Sequence, residues 1–344
     1  MISLPPELLA AGESSMLRAL PTSRVPVLRH GATTLLGLVA AGALVACGGG
    51  NDDPGWSAQA IAESGTSAVQ PILVNSGVGV GEARLAFGLF DRDGNLLNEV
   101  SEPKVRLYTL DGEDGTLAEE YALSPSRLVG EGTPHEHADG EQHLHEGPVT
   151  TVFVSNVELT QPEWWGAELS FGVGDETFEG LRLRFFVQED TSEPAVGEAV
   201  PASKQLTVAD VDDISLVDTA FTPNAALHDM TVADALASGR PSVIAFATPL
   251  FCQTRFCGPV VEQVVTPIWE QYGDRVNVMA IEPYDVAEAR AGQLVPVATM
   301  QEWGLQTEPW IFVVDGEGRV VAKFEGIMGL DEVSAAVDRV LASG

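Results

Sequence analysis

Phe251-Cys252-Gln253-Thr254-Arg255-Phe256-Cys257-Gly258-Pro259-Val260 is the stretch on which the fold turns. It follows the wholly apolar run Ser242-Val243-Ile244-Ala245-Phe246, which at that length predicts a buried strand. It leads into Gly258 to Tyr272, where Val260, Val261, Val264, Val265 and Ile268 recur at helical spacing. Pro259 suits the first turn of such a helix. A cysteine at a helix start meets unpaired N–H groups and the positive end of the peptide dipoles, which favour the thiolate. The thiolate is the attacking species in disulfide exchange. On a regular helix, residues five apart point about 140° away from each other. A bond between Cys252 and Cys257 therefore requires Cys252 to sit in a non-helical loop, and Pro249 just before it fits that requirement.

Downstream, Val276 to Ile281 predicts a second buried strand, Met300 to Gly304 a short helix and Trp310 to Val314 a third strand. Asp315-Gly316-Glu317-Gly318 turns the chain into Val320 to Phe324, and Leu330 to Leu341 closes as an amphipathic helix. Upstream, Met230 to Ser238 is helical. Strands alternating with helices make a mixed sheet with crossovers. Trp303 and Trp310 are expected in the core.

This order, with Glu308-Pro309 ahead of an apolar strand and the hairpin Asp315 to Gly326 after it, resembles the thioredoxin-like superfamily over residues 200 to 344. Taken with the features of the N-terminal half, it looks like extracytoplasmic two-domain thioredoxin-like lipoproteins. The resemblance implies an α/β thioredoxin-like fold and a cis Pro309 that holds a partner's backbone beside the sulfur. It also implies thiol–disulfide exchange, with Cys252 and Cys257 as catalytic residues. The family's Cys-x-x-Cys is Cys-x-x-x-x-Cys here, which leaves two assignments open. Either Cys252 attacks and Cys257 resolves, or Cys257 attacks and Cys252 resolves from upstream. A purely structural disulfide is the alternative. So short a closed loop would contribute less than the roughly 3 kcal/mol estimated for a 15-residue loop.

Between Pro71 and Gln188 the period changes to two. Arg84 to Phe90, Lys104 to Leu110, Val149 to Val157, Ala167 to Val173 and Leu181 to Val187 alternate between turns such as Asp91-Arg92-Asp93-Gly94. Short alternating strands at this spacing predict an immunoglobulin-like antiparallel β-sandwich over 71–188. Trp164-Trp165 is expected at its edge and core. Residues 189–206, rich in Glu, Pro, Ala and Ser, serve as the linker to a domain over 207–344. Residues 47–70 are expected to be a flexible tether.

The apolar run Gly31 to Ala46 follows Arg18, Arg24 and Arg29 and ends in Leu44-Val45-Ala46-Cys47-Gly48. A basic start, a short apolar core and small residues before the cut form a secretory signal. The run falls short of the about 20 residues that span a bilayer. Leu-Val-Ala-Cys resembles the bacterial lipoprotein lipobox, which implies a signal peptide over 1–46 and acylation of Cys47. The expected location is extracytoplasmic, lipid-anchored to the bacterial cell membrane, and Met16 is an alternative start. Fifty acidic residues against 18 basic ones give a formal charge of −32, which disfavours nucleic acid and anionic lipid as partners. The partners expected are exported proteins with thiols or disulfides.

Four of the six histidines fall in Thr133-Pro134-His135-Glu136-His137-Ala138-Asp139-Gly140-Glu141-Gln142-His143-Leu144-His145-Glu146. Asp139-Gly140 signals a hairpin turn. Period two puts His135 with His137, and His143 with His145, on shared faces. If the arms pair, the four imidazoles converge on a site suited to copper or zinc. No cofactor is required for the exchange chemistry. Metal handling by these histidines is one alternative function, and a non-catalytic interaction protein is another. His228 is expected in a loop.

Overall fold

The computed structural model describes residues 56, 64–130, 134–136, 142–144 and 147–343. Cys47, His137 and His145 lie outside the described residues, as does the expected signal peptide. Among the described residues, no helix is long and apolar enough to cross a membrane.

Two four-stranded antiparallel sheets form the N-terminal part. The first contains β1 (Val69–Leu73), β2 (Gly81–Asp91), β5 (Ser124–Val129) and β8 (Val149–Leu159), in the order β1-β2-β8-β5. The second contains β3 (Ser101–Asp111), β4 (Asp114–Ala122), β9 (Glu163–Val173) and β10 (Glu176–Val187), in the order β10-β9-β3-β4. Alternation sends Leu85, Phe87 and Leu89 inward from β2. They meet Val105 and Leu107 of β3, Trp165, Ala167 and Leu169 of β9, and Leu181, Phe185 and Val187 of β10. Trp165 is buried, and its neighbour Trp164, one residue out of phase, is exposed. Beyond the β5–β8 pair, the short strands β6 (Pro134–Glu136) and β7 (Gln142–Leu144) form a hairpin.

The expected tether is held at two described points. Trp56 is buried against the second sheet, and the Ser64 hydroxyl accepts the Arg182 N–H at 2.7 Å. Trp56 fits because Gly115 and Gly166 leave it room; a Cβ on either would come within 2.5 Å of its side chain. Residues 189–206 also pack rather than hang free. The N–H groups of Gly197 and Val200 donate to the carbonyls of Val320 and Gly318, and Glu193 pairs with Lys323 at 2.7 Å.

The C-terminal part is built on a third sheet. Its strands are β11 (Ser242–Phe246), β12 (Asn277–Ile281), β13 (Trp310–Val314) and β14 (Val320–Glu325), in the order β12-β11-β13-β14. β11 and β12 run parallel, and the other pairs are antiparallel. Every residue of β11, β12 and β13 is buried, as expected of a sheet covered on both faces. Period two divides their side chains. Ile244, Phe246, Met279 and Phe312 join Trp303 and Trp310 on one face. Val243, Ala245, Val278 and Ile311 face the other way.

The helices are α1 (Val232–Ala237), α2 (Cys257–Val260), α3 (Thr266–Tyr272), α4 (Val286–Arg290), α5 (Ala298–Glu302) and α6 (Leu330–Ser343). A capping box of Thr231 and Asp234 starts α1. A π turn over Val261–Val265 joins α2 to α3. Pro267 explains it, because proline has no N–H to return to the Gln263 carbonyl and its ring crowds that group.

One apolar cluster crosses from the first sheet to the third. Ala86, Leu128, Val152 and Val154 pack with Val260, Val261, Val264 and Met328. Polar contacts bracket it. Arg84 donates to both Glu332 carboxylate oxygens, at 2.7 and 2.8 Å, and to the Ile327 carbonyl at 2.9 Å. The Gln263 amide exchanges two hydrogen bonds with the Val129 backbone.

Candidate functional site

The end of β11 delivers the chain into the loop Thr248 to Phe256, and α2 leaves from Cys257. Arg255 turns that loop at φ 63°, a left-handed conformation that costs a non-glycine residue about 1 kcal/mol or more. The loop returns Cys252 to the start of α2. There the Cys257 N–H donates to Cys252 Sγ at 3.3 Å, and the Thr254 hydroxyl lies 3.2 Å from the same sulfur. Both cysteines are unbonded thiols. Cys252 is half-buried and Cys257 is fully buried. Cys252 therefore sits in a loop and not on a helix.

The two sulfurs have opposite electrostatics. The Cys257 thiol donates to Cys252, Thr254 adds a hydroxyl, and the backbone N–H groups of Cys257 and Thr254 contribute. Together they outweigh partial burial and bring Cys252 down to about 5. Burial first, then the neighbouring negative sulfur, push Cys257 well above the usual thiol range.

β13 is preceded by Glu308-Pro309, a cis peptide whose Pro309 carbonyl accepts the Gly326 N–H at 2.9 Å. Glu308 points back to the cysteines. One of its carboxylate oxygens and the two sulfurs all lie within 4.8 Å of one another. Tyr284 donates its hydroxyl proton to Glu308 Oε2 at 2.7 Å. Burial raises the Glu308 carboxyl; the Tyr284 hydrogen bond lowers it, the Cys252 charge raises it and the Gln253 N–H lowers it, leaving a net rise. Two thiolates and a carboxylate at this spacing could also close on a soft cation such as zinc.

Behind the loop lies a second polar group. The Leu250 N–H donates to Thr219 Oγ1 at 3.1 Å, and the Thr219 N–H donates to Glu282 Oε1 at 2.8 Å. Asp218 beside it pairs with His228 Nε2 at 3.1 Å. Burial pushes Asp218 up, but His228 and the N–H groups of Ala220 and Asn224 hold it below the usual range. His228 lies outside regular strands and helices, yet it is buried.

The structure thus brings Cys252, Cys257 and the Glu308-Pro309 peptide together. It places the histidine segment elsewhere, with His135 directly opposite His143 in register. The root of that hairpin lies beside the cysteine helix, where Gln263 holds Val129. Sequence reasoning missed Glu308 as an acid, and with it Tyr284, Thr254 and the Asp218–His228 pair. The available signal for Glu308 was an acid immediately before the proline that leads into the apolar run of β13. No protein-family model matches the chain, and no curated protein matches it.

Proposed function

We propose that the chain is a lipid-anchored extracytoplasmic lipoprotein that exchanges thiols and disulfides with exported proteins. In this proposal Cys47 carries the lipid, residues 71–188 are an immunoglobulin-like sandwich, and the C-terminal part has a thioredoxin-like fold. One observation carries the chemistry. A half-exposed sulfur with an acidic pKa receives a helix N–H, and a buried high-pKa thiol stands beside it. That asymmetry makes Cys252 the attacking residue and Cys257 the resolving one.

The Cys252 thiolate attacks one sulfur of a partner disulfide. The S–S bond breaks, a mixed disulfide forms, and the departing partner sulfur leaves as a thiolate that takes a proton from water. Cys257 then gives its proton to Glu308, whose carboxyl burial holds above the usual carboxylate range and so makes a better proton acceptor than an exposed one. The Cys257 thiolate attacks Cys252 Sγ and expels the second partner sulfur. The partner gains two electrons and the Cys252–Cys257 disulfide forms; the reverse sequence oxidises a partner dithiol. Pro309 supports the partner backbone, and Tyr284 orients the Glu308 carboxyl.

The test is the reduction potential of the pair, measured by equilibration against glutathione. A value between roughly −120 and −270 mV, the span of exchange catalysts, is expected. A value below about −300 mV would mark a structural bond and overturn the proposal.

A second proposal, copper or zinc binding, is favoured by the His135–His143 register. Its expected signature is equimolar uptake of metal, abolished when His135, His137, His143 and His145 are replaced.

A further inference from the structure

Trp56 does more than fill a gap. Its indole lies on the outward face of the β10-β9-β3-β4 sheet, 5.3 Å from the Tyr108 ring, with the Arg182 guanidinium 5.5 Å from its own ring. The same face exposes Trp164 and Phe186, at 45% and 46%, as an edge-to-face pair 5.5 Å apart. Arg184 lies 5.1 Å over Trp164. Leu117, opposite Tyr108 in register, is 46% exposed. Lys104, Arg106, Arg182 and Arg184 lie on this face against Glu120 and Glu168, in a chain whose acids outnumber its bases 50 to 18. The acidic turn Asp111 to Asp114 borders it. Exposed tryptophan and phenylalanine beside arginine suit the headgroup layer of a bilayer, which accepts an apolar ring and a charged head together.

We infer that this sheet face lies against the membrane, and that the sandwich holds the cysteine pair away from it. The inference rests on the proposal that Cys47 carries a lipid. Only residues 48–55 separate Cys47 from Trp56. That length of chain spans at most about 30 Å, so a lipid on Cys47 keeps the Trp56 face within that distance of the bilayer. The first sheet of the sandwich turns its other side to the cysteine-bearing part, through Ala86, Leu128, Val152 and Val154. Two sheets about 10 Å apart therefore stand between the proposed membrane face and the Cys252–Cys257 site. The chain's negative charge selects zwitterionic over anionic headgroups.

The test uses the full lipidated chain in phosphatidylcholine vesicles whose acyl chains are brominated near the headgroup. Trp164 is the most exposed tryptophan among the described residues. Tryptophan fluorescence is expected to fall relative to plain vesicles. Trp164→Phe, which keeps a ring under Arg184, is expected to remove most of that loss, and Phe186→Ser to reduce it. A lipidated chain that sediments with vesicles but is not quenched overturns the inference. Quenching unchanged by both substitutions does the same and leaves the anchor standing. A mass spectrum showing no lipid on Cys47 overturns the anchor itself and the inference with it.

Discussion

Cys252 is acidic because four donors surround one half-buried sulfur: the Cys257 thiol and N–H, and the Thr254 hydroxyl and N–H. Its alkylation by iodoacetamide is expected to be level above about pH 6 and to fall about tenfold per unit well below pH 5. Cys257→Ala removes the largest of these influences, and its alkylation midpoint is expected to move up by about one unit or more. The pair also makes stability depend on pH in the reduced protein. The folded pKa of Cys252 is depressed, so its contribution is present above the unfolded value of about 8.5 and is lost as pH falls toward 5. The folded pKa of Cys257 is raised, so above about pH 8.5 its ionisation favours the unfolded chain. Urea unfolding under reductant should therefore show greatest stability near pH 8, with losses on both sides. Glu308→Gln removes the proton acceptor within reach of Cys257. Mixed disulfides between Cys252 and a partner are expected to persist about 100-fold longer, as quenched-flow trapping would show, while alkylation of Cys252 remains fast.

Among the elements, legibility followed periodicity. β2, β3, β8, β9 and β10 stand over the alternating runs, and β11, β12 and β13 over the apolar ones. β4 and β5 were missed. β4 is exposed along nearly all its length, and β5 turns Ser126 and Leu128 inward, so neither shows alternating apolar residues in the sequence. The helix beginning at Cys257 was legible from its valines, but the π turn inside it depends on a conflict between Pro267 and its own backbone. Glu308, which precedes β13, was visible as a residue but not as part of the site, because proximity to two sulfurs arises only when β11 and β13 pair. The contact between α6 and β2 yields a prediction at this scale. Arg84 is buried and holds both oxygens of Glu332. Arg84→Ala is expected to cost about 3 kcal/mol, because it strands a partly buried carboxylate; equilibrium denaturation checks it.

Across the whole molecule, the cluster shared by the first and third sheets is expected to make the two parts unfold as one cooperative body. Leu128 comes from the sandwich yet packs with the helical segment that starts at Cys257. Leu128→Ala is expected to cost about 3 kcal/mol and to lower one common unfolding transition, followed by near-ultraviolet and far-ultraviolet circular dichroism together. Two separate transitions would show instead that the parts unfold independently. The packing of residues 189–206 along β14 points the same way.

Local chemistry alone determined the strands and helices whose apolar residues recur periodically, because that period is a property of a few neighbours along the chain. It also determined that two cysteines flank a helix start and that four histidines cluster around an Asp-Gly turn. Only the tertiary structure decided which cysteine is half-exposed and which is buried, that Glu308 and Tyr284 stand beside them, and that Trp56 is held on a sheet face. Those outcomes depend on burial and on contacts between residues far apart in sequence, such as Cys252 with Glu308 and Trp56 with Gly166. Such contacts exist only once sheets and helices have closed on one another.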